Sequence, residues 1–563
     1  MKKLAALILC ALLLLTVLPG GDARAASYDQ SPLRIGLAYN MDAVSAAKFI
    51  NERNNSIYGN SFGYFDDARN FYNLFSTQER KIAVLKNKPM WMKVVSAADD
   101  KYDYFDQQPS DYTYSIGCYH LEAGQGYTAY TDVMDAVAWV NSLGLKAFPA
   151  YVGGGYRLRI GEHLTADRAQ AAMSAAQSAT GFSLSVVGES RTAYTVTILG
   201  TDKILFQLDM GGTGLGMMQL GETTWFQSYQ YMGGFDMNRL NGNDMTVVNV
   251  ISMNDYIKGV VPYEVSPTWP IEAQKVQAVA AKCYSVGCLE QRKHRAMGFD
   301  MCNTTDCQVY RGMNHATELS NRAVEETYGI YATYEGSIIQ AYYHSTSGGY
   351  TEDVENIWNY QIPYLRAVED KYLVIRNPYS FTITLSDVTK ILQAKGRTSR
   401  TITDLYVSRY SAVGNAIELA AVESNGNVLR FKGDEARTIL NSSLTAANMR
   451  VSSHRYTISG GATFSINGTA TSRSVQSTYA IGGDGLAQQV SVSNDNLRVL
   501  TASGVESMKL ESSSNGVFTV SGTGAGHNIG MSQWGAHAMA ELGYTYDQIL
   551  AFYYTGITVG YIN

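Results

Sequence analysis

The sequence has no long apolar run beyond its first 18 residues, and it has no excess of positive charge. A transmembrane helix needs about 18–20 consecutive apolar residues, so no span is expected after residues 4–18. The formal net charge is -6 for 563 residues. Residues 1–26 contain Lys2, Lys3 and Arg24 against Asp22, a net charge of +2, so the remaining chain carries about -8. This balance excludes nucleic acid and other polyanions as the main ligand.

Several enzyme motifs are absent as well. The sequence contains no H-E-x-x-H motif, which would indicate a metallopeptidase. It also contains no G-x-S-x-G motif, which would indicate a serine nucleophile. The glycine-rich residues 522–530 have the spacing G-x-G-x-G-x-x-x-G, which does not match the dinucleotide-binding pattern. Tyrosine, by contrast, is abundant, with 40 residues. Because aromatic rings with a polar tip stack well on sugar faces, the composition favours a largely uncharged polymer as ligand.

The first 26 residues are typical of a signal peptide. Two lysines precede the apolar residues 4–18, and Ala23 and Ala25 form a small-x-small cleavage pattern. Cys10 lies inside the apolar run, which does not resemble a lipoprotein cleavage site. We therefore expect a secreted, extracytoplasmic protein, with the same segment serving as a membrane anchor if it is not cleaved.

The periodicity of the chain predicts a multidomain α+β protein. An N-terminal α+β region of residues 27–147 has a predicted strand at 32–39 and a predicted helix at 131–143. A strand–helix–strand order follows at residues 156–161, 165–177 and 182–187. Residues 459–521 are rich in Gly, Ser, Thr and Asn with alternating apolar positions, which predicts a β-rich insertion.

The most informative segment is residues 256–270, YIKGVVPYEVSPTWP, followed by IEAQKVQAVAAKCY. It places Glu264 beside Tyr263 and prolines, ahead of an Ala-rich predicted helix. Partial desolvation by such neighbours raises the pKa of a carboxyl group toward the range of a general acid. The alternative is an acidic residue that stabilises a helix N-terminus, which would lower the pKa. Residue chemistry alone leaves both interpretations open.

These residues resemble the opening motif of the stage II sporulation protein D (SpoIID/LytB) family. Two further blocks match in the expected order: DCQVYRG at 306–312 with HSTSGGYTE at 344–352, and GTGAGHNIGMSQWG at 522–535 with YDQILAFYYTG at 546–556. The resemblance covers residues 215–563, with a divergent stretch at about 400–515. Residues 148–210 also resemble a SPOR module, which binds glycan strands stripped of stem peptides, and an unrelated α+β unit is the alternative.

The family resemblance implies that Glu264 is the acid/base of a peptidoglycan lytic transglycosylase that needs no cofactor for its chemistry. Glu272 is the other candidate for the acid/base, but it falls in the first turn of the predicted helix. Acidic residues are expected there because they interact favourably with the helix dipole. Lys282 stands where family members more often have arginine, and it replaces a planar two-pronged donor with a point charge. It is a candidate substrate contact, and a solvated lysine on the helix surface is the alternative.

The later blocks supply further candidate substrate-binding residues. The loop after a predicted strand at residues 338–343 contains His344, Ser345 and Ser347, and its hydroxyl groups suit hydrogen bonding to sugars. The glycine-rich turn at 522–530 would present His527 and Gln533 to a glycan. A purely structural turn is the alternative for this block.

Five cysteines follow Cys10, an odd number for an exported chain, so at least one has no intrachain disulfide partner. His294, Cys302, Asp306 and Cys307 resemble the zinc site of some family members, with aspartate where those members can have histidine. Zinc accepts carboxylate oxygen, so a structural zinc site is chemically reasonable. A Cys302–Cys307 disulfide and free thiols are the alternatives.

The sequence therefore predicts an exported lytic transglycosylase that cleaves MurNAc–GlcNAc bonds of peptidoglycan, on denuded strands if the SPOR-like unit is present. The resemblance also admits a non-catalytic wall-binding enhancer of an N-acetylmuramoyl-L-alanine amidase, which would then be a partner. A two-carboxylate hydrolase would require a second acid near Glu264.

Overall fold

The computed structural model describes residues 28–51, 58–443, 449–460 and 516–562. Between 461 and 515 it describes only six strand backbones, Phe464–Ile466, Thr469–Thr471, Thr478–Ile481, Ala487–Val490, Arg498–Thr501 and Gly504–Ser507. The predicted signal peptide lies outside the described residues. Among the described residues, no helix has the length and apolarity to cross a membrane.

The chain divides into two compact units, which confirms a multidomain α+β protein. The first comprises Met1–Pro267 and Ser285–Gly329, and the second comprises Thr268–Tyr284 and Ile330–Ile562. The long Ala-rich helix Ile271–Gln291 contributes its first 14 residues to the second unit and the remainder to the first. It begins at the predicted position.

The first unit contains a seven-stranded sheet whose strands come from both ends of the unit. The predicted first strand, at Pro32–Ala38, pairs antiparallel with Thr246–Ser252 and parallel with the short strand Met301–Cys302. The order across the sheet is Met301–Cys302, Pro32–Ala38, Thr246–Ser252, Gly234–Asn238, Leu215–Gln219, Asn60–Phe65 and Phe71–Thr77. The strand Pro32–Ala38 thus lies between Met301–Cys302 and Thr246–Ser252, the strand that precedes the Glu264 segment.

A ten-stranded sheet forms the other large layer of the first unit. Its order is Leu184–Val187, Tyr119–Ala123, Gly155–His163, Ala147–Val152, Ile204–Asp209, Tyr194–Ile198, Lys81–Lys86, Ala46–Asn51, Thr224–Phe226 and Tyr229–Tyr231. The helices Tyr130–Ser142 and Ala166–Thr180 bury Val133, Val137 and Ala169 against it. A three-stranded sheet of Lys101–Phe105, Met90–Ser96 and Tyr114–Ile116 completes the strands of the unit as described.

The strand–helix–strand order of the SPOR-like segment is present. Its helix Ala166–Thr180 begins with Thr165, whose hydroxyl accepts from the amide of Arg168, and ends at Gly181 with φ +68°. The two strands, however, belong to the ten-stranded sheet and share it with strands from other parts of the unit. Tyr156 is buried, and its hydroxyl donates to the carbonyl of Leu74 at 2.7 Å. The resemblance to a SPOR module stays a prediction.

Short connecting helices complete the first unit. They are Met253–Lys258, Val261–Glu264 and Glu318–Glu325, with single 3-10 turns at Asn40–Asp42, Leu240–Gly242 and Arg295–Met297. Ser252 begins the first of them by accepting from the amide of Asp255. Thr317 and Ser320 form a reciprocal capping box at the start of Glu318–Glu325. These caps satisfy backbone amides that a helix start leaves without partners.

The second unit is built from several small sheets. Their strands are Ser337–Ile338, Ile330–Tyr334 and Thr558–Tyr561; Tyr343–His344 and Met531–Ser532; Pro378–Thr384, Val517–Thr523 and Tyr456–Ser459; and Ile402–Tyr410, Ala416–Glu423 and Val428–Lys432. Its helices are Val354–Trp358, Leu385–Ala394, Asp434–Thr438, Gln533–Glu541 and Tyr546–Tyr553. The last three-stranded sheet lies in the divergent stretch, whose described part is β-rich as predicted.

One predicted strand is divided in two. Residues 338–343 were expected to form a single strand, but Ile338 pairs with Thr333 whereas Tyr343 pairs in parallel with Met531. The two ends therefore belong to different sheets, and the backbone between them is not a strand. A run of apolar residues cannot show that its ends have different partners.

Candidate carboxylate site and metal cluster

Glu264 is the last residue of the four-residue helix Val261–Glu264, which has Pro262 near its start. The helix Ile271–Gln291 begins seven residues later, so Glu264 belongs to a different helix. The side chain is half-buried. Its Oε1 accepts a hydrogen bond from the backbone amide of Val309 at 3.3 Å. The carboxylate is thus oriented by a neighbouring loop.

That loop is the DCQVYRG block at residues 306–312, and its side chains Cys307, Gln308 and Tyr310 are buried in the first unit. Gln308 accepts from the Tyr256 hydroxyl at 3.1 Å. Tyr310 is fully buried, and its hydroxyl donates to Asn249 Oδ1 at 2.8 Å. Burial raises the pKa of Tyr310, so this hydroxyl stays protonated and remains a donor. These bonds place the Val309 amide toward Glu264.

Gly312 closes the loop against the hairpin Thr224–Phe226/Tyr229–Tyr231. Its φ is +64°, and a Cβ atom there would lie 1.9 Å from the Gln230 carbonyl oxygen. The Met313 amide donates to this same oxygen at 2.7 Å. Only glycine permits both the conformation and the approach.

Two further aromatic side chains and one guanidinium lie around Tyr263, the neighbour of Glu264 in sequence. We call this surface the aromatic platform: Tyr229, Tyr263, Arg311 and His315. The Tyr263 ring stacks on His315 with centroids 4.5 Å apart and planes 14° apart. The Arg311 guanidinium lies 5.8 Å from the Tyr229 ring centroid. Arg311 and His315 are exposed and both tyrosines are half-buried. Half-buried tyrosine rings with exposed donors near them suit a sugar polymer.

The predicted substrate residues Lys282, His344, Ser345, Ser347, His527 and Gln533 all belong to the second unit. His344 and His527 lie together, with ring centroids 5.4 Å apart. Trp358 lies 5.2 Å from His527. His344 Nδ1 is 3.2 Å from the Ile529 carbonyl, and its buried Nε2 has no hydrogen-bond partner among the residues that the structure describes. The structure therefore joins the two histidines of separate sequence blocks.

Burial holds both histidines neutral. It lowers the pKa of His527 to about 4 and that of His344 well below its ordinary value. A neutral imidazole has one donor and one acceptor nitrogen. His527 Nδ1 accepts from the Ile529 amide at 3.1 Å, so its Nε2 carries the proton.

The serines of the same loop have different surroundings. Ser345 is exposed. Ser347 is fully buried, and its hydroxyl donates to Asp370 Oδ2 at 2.7 Å. Asp370 also accepts from the Tyr553 hydroxyl at 2.8 Å. The Ser347 hydroxyl is thus already used within the protein, whereas that of Ser345 faces solvent.

The remaining candidates on the second unit are buried polar groups. Lys282 is fully buried, with Nζ 4.9 Å from the Tyr331 ring centroid, so the alternative of a solvated surface lysine is wrong. Gln533 is nearly buried and donates to Gln277 at 3.2 Å. Glu272 pairs with Lys275 at 2.9 Å and accepts from the Tyr546 amide at 2.8 Å. These contacts give Glu272 a structural role at two helix starts.

His294, Cys302, Asp306 and Cys307 converge in the first unit, with one possible ligand atom from each lying within 4.8 Å of the others. His294 Nε2 is 3.1 Å from Cys307 Sγ and 3.6 Å from Asp306 Oδ2. Cys302 Sγ is 3.9 Å from the same carboxylate oxygen. Both cysteines are free thiols. Two sulfurs, one imidazole and one carboxylate at this spacing fit a tetrahedral zinc ion.

The cluster lies in protein surroundings that keep its thiols protonated in the absence of a cation. A hydrogen bond with Cys288 and burial raise the pKa of Cys307 to about 11. Lys293 pairs with the exposed Asp306 at 2.5 Å. A bound metal would reverse the thiol protonation, because thiolate is the form that coordinates.

The sequence did not predict the aromatic platform. Tyr229 and Arg311 are separated by 82 positions, and neither has a distinctive spacing. Gly312 was one available signal, since it ends the DCQVYRG block and its conformation brings that block onto the hairpin.

The fold and site define an α+β protein with one oriented carboxylate beside an aromatic surface and, separately, a cluster of metal-type donors. The family model described as SpoIID, Stage II sporulation protein, matches residues 241–334, which include Glu264 and the metal-type cluster. Through this segment the chain is similar to the SpoIID family.

Relatives extend the similarity beyond that segment. An uncharacterized protein of Brachyspira hyodysenteriae is 28% identical over 316 residues, 56% of this chain and 68% of that protein. The amidase enhancer of Bacillus subtilis is 32% identical over 329 residues, 54% of this chain and 40% of that protein. Stage II sporulation protein D of Bacillus subtilis is 27% identical over 332 residues, 55% of this chain and 75% of that protein.

Gly312→Ala should destabilise the first unit more than Gly144→Ala. Both glycines have positive φ, but a Cβ at Gly144 meets nothing within 4 Å. The strain of a left-handed residue costs about 1–2 kcal/mol in each variant, and the clash with Gln230 adds to it in Gly312→Ala alone. Urea unfolding of both variants measures the difference. Equal losses would contradict the close approach.

The free energy of unfolding should fall as the pH falls from about 7 toward 4. The folded pKa of His527 is below its ordinary value of 6.5, so its contribution is complete above 6.5 and is lost as the pH approaches 4. His527→Asn keeps an acceptor for Ile529 and should give a shallower pH dependence. Parallel curves for the two proteins would show that His527 does not titrate in this way.

Proposed function

We propose that this protein is an exported lytic transglycosylase that cleaves peptidoglycan glycan strands in cell-wall remodelling or sporulation. The observation that carries the proposal is Glu264, oriented by the Val309 amide and flanked by the aromatic platform. The family segment at residues 241–334 and the relatives named for sporulation support a role at the cell wall. Export rests on the predicted signal peptide.

A single carboxyl group is sufficient for this reaction. Protonated Glu264 donates its proton to the glycosidic oxygen, and the resulting carboxylate removes the proton of the sugar's own C6 hydroxyl. That oxygen attacks the anomeric carbon, so the product is a 1,6-anhydro-muramic acid end and no water is consumed. Because the nucleophile is part of the substrate, proximity contributes several kcal/mol.

The aromatic platform would position the substrate. Tyr229 and Tyr263 offer ring faces to sugar rings, while Arg311 and His315 offer donors to hydroxyl and N-acetyl oxygens. The preference for denuded strands depends on residues 148–210 and stays a prediction.

A second function has its own support. The amidase enhancer of Bacillus subtilis is 32% identical over 329 residues, which favours a non-catalytic factor that stimulates a cell-wall amidase. The platform would then bind glycan without cleavage. The two functions differ in whether this protein alone releases fragments.

We also propose that the cluster of His294, Cys302, Asp306 and Cys307 holds a structural zinc ion. Cys302 and Cys307 would supply thiolates, His294 an imidazole nitrogen and Asp306 a carboxylate oxygen. Bound zinc would link the end of the long helix region to the DCQVYRG loop. The proposed reaction uses no Lewis acid.

Glu264→Gln should lower cleavage of denuded glycan by at least about 100-fold, the usual contribution of a general acid. Glutamine keeps the oxygen that accepts from Val309, so folding should be preserved. Glu272→Gln is the matched control and should retain most activity while losing about 1 kcal/mol of stability from its helix contacts. Mass spectrometry of released fragments is the measurement.

The products separate the alternatives. Anhydro-muramic ends support the transglycosylase, reducing ends would indicate a two-carboxylate hydrolase, and no fragments together with amidase stimulation would indicate an enhancer. Glycan binding by the Glu264→Gln protein tests the platform independently of turnover. Tyr229→Ala in that background should weaken binding about 10-fold, since loss of a stacked ring costs about 1 kcal/mol or more.

The purified full chain should contain about one zinc ion, as expected for a four-ligand structural site. Cys302→Ser should lose most of this zinc. Cys118→Ser is the matched control, because Cys118 is another buried free thiol of the first unit outside the cluster, and it should keep the metal. Elemental analysis without metal, together with a Cys302–Cys307 disulfide in the peptide map, would reject the site.

A further inference from the structure

The first unit has a second candidate binding site, a cavity of about 840 Å³. Four arginines and two aspartates line it: Arg34, Arg69, Arg292, Arg295, Asp67 and Asp300. None of them belongs to the aromatic platform or to the zinc cluster. We call it the arginine cavity.

Two of the arginines are held by the protein. Arg34 Nε donates to the Gly298 carbonyl at 2.8 Å, and its guanidinium pairs with Asp236. Arg69 makes two parallel bonds to Asp300, at 2.7 and 2.8 Å. Within each pair the opposite charges neutralise each other, so Arg34 and Arg69 offer little charge to a ligand. Both arginines form part of the cavity wall.

The other three charged groups have no such partners. The side chains of Arg292, Arg295 and Asp67 make no hydrogen bond or ion pair within the described part of the chain, and all three are exposed. The cavity therefore offers two guanidinium groups and one carboxylate to a ligand.

The backbone supports a built site. Among the described residues, ten that are not glycine have positive φ, and the two arginines among them are Arg69 at +69° and Arg292 at +52°. Both line this cavity. Such conformations cost about 1–3 kcal/mol and concentrate at functional sites.

We propose that the arginine cavity binds the free amino end of an acidic peptide. Arg292 and Arg295 would each donate hydrogen bonds to a carboxylate group of the peptide, a contact for which the planar guanidinium is well suited. Asp67 would accept the terminal ammonium. Asp67 would repel a phosphate group and would gain no partner from it. The Asp67 carboxylate therefore favours a ligand that carries an ammonium group as well as carboxylates over a simple anion.

The chemistry of the proposed substrate indicates a source for this ligand. An amidase that hydrolyses the bond between muramic acid and L-alanine releases a peptide whose free amino end is alanine followed by glutamate. Such a reaction would also supply the denuded strands. This source rests on the proposed function, whereas the ligand chemistry of the cavity does not.

Calorimetric titration of the full chain tests the ligand class with three probes: L-Ala-D-Glu, its N-acetyl form and inorganic phosphate. We expect the free dipeptide to bind at least 10-fold more tightly than either of the other two. The double variant Arg292→Gln/Arg295→Gln should weaken its binding at least 10-fold at unchanged zinc content, which is checked because both arginines lie near His294. Arg168→Gln, an exposed arginine on another helix, is the matched control and should bind as the unsubstituted protein does.

Asp67→Asn tests the ammonium contact. It should weaken binding of the free dipeptide about 10-fold and leave binding of the N-acetyl form unchanged. Equal binding of the two forms by the unsubstituted protein, tighter binding of phosphate, or no binding of the dipeptide would each overturn the proposal. The titration involves no turnover, so its result is independent of whether Glu264 is catalytic.

Competition identifies the source. Soluble peptidoglycan fragments should displace L-Ala-D-Glu only after digestion with an N-acetylmuramoyl-L-alanine amidase. If undigested fragments displace the dipeptide to the same extent, the amidase-product assignment is wrong. It is also wrong if the digested fragments do not displace the dipeptide.

Discussion

The contact between Gly312 and the Gln230 carbonyl is the constraint on which the carboxylate site depends. Because glycine has no Cβ atom, the DCQVYRG loop can lie directly on the hairpin Thr224–Phe226/Tyr229–Tyr231, where a larger residue would clash. The loop then presents the Val309 amide to Glu264 and the Arg311 guanidinium to Tyr229. Gly312 therefore permits both the loop position that orients the Glu264 carboxylate and the contact between Arg311 and Tyr229.

Buried hydrogen bonds hold this loop in place. Tyr310 and Asn249 are fully buried, and the Asn249 amide also donates to the carbonyls of Met232 and Gly234. A buried polar group without a partner costs about 1–3 kcal/mol, so this network tolerates few alternative positions of the loop. The network extends from the strand Thr246–Ser252, whose seven-stranded sheet is the rigid support.

The two units use different means to place polar groups. In the first, backbone and tyrosine hydroxyl groups orient a carboxylate that remains half-exposed. In the second, burial keeps His344 and His527 neutral next to each other, because two charged imidazoles at 5.4 Å in an apolar environment would be costly. Neutral imidazoles can still donate and accept hydrogen bonds.

The sequence by itself determined the local elements and the chemical identity of the sites. Alanine-rich composition predicted the helix from Ile271. The resemblance of His294, Cys302, Asp306 and Cys307 to a family zinc site indicated the cluster that these residues form. Only the tertiary structure decided that Lys282 is buried, that Ser347 donates to Asp370, and that Tyr229 meets Arg311. It also brought Arg34 to Asp300, 266 positions apart, to form the arginine cavity. Periodicity and capping depend on neighbouring residues, whereas these contacts depend on the order of strands in the sheets, which no local pattern encodes.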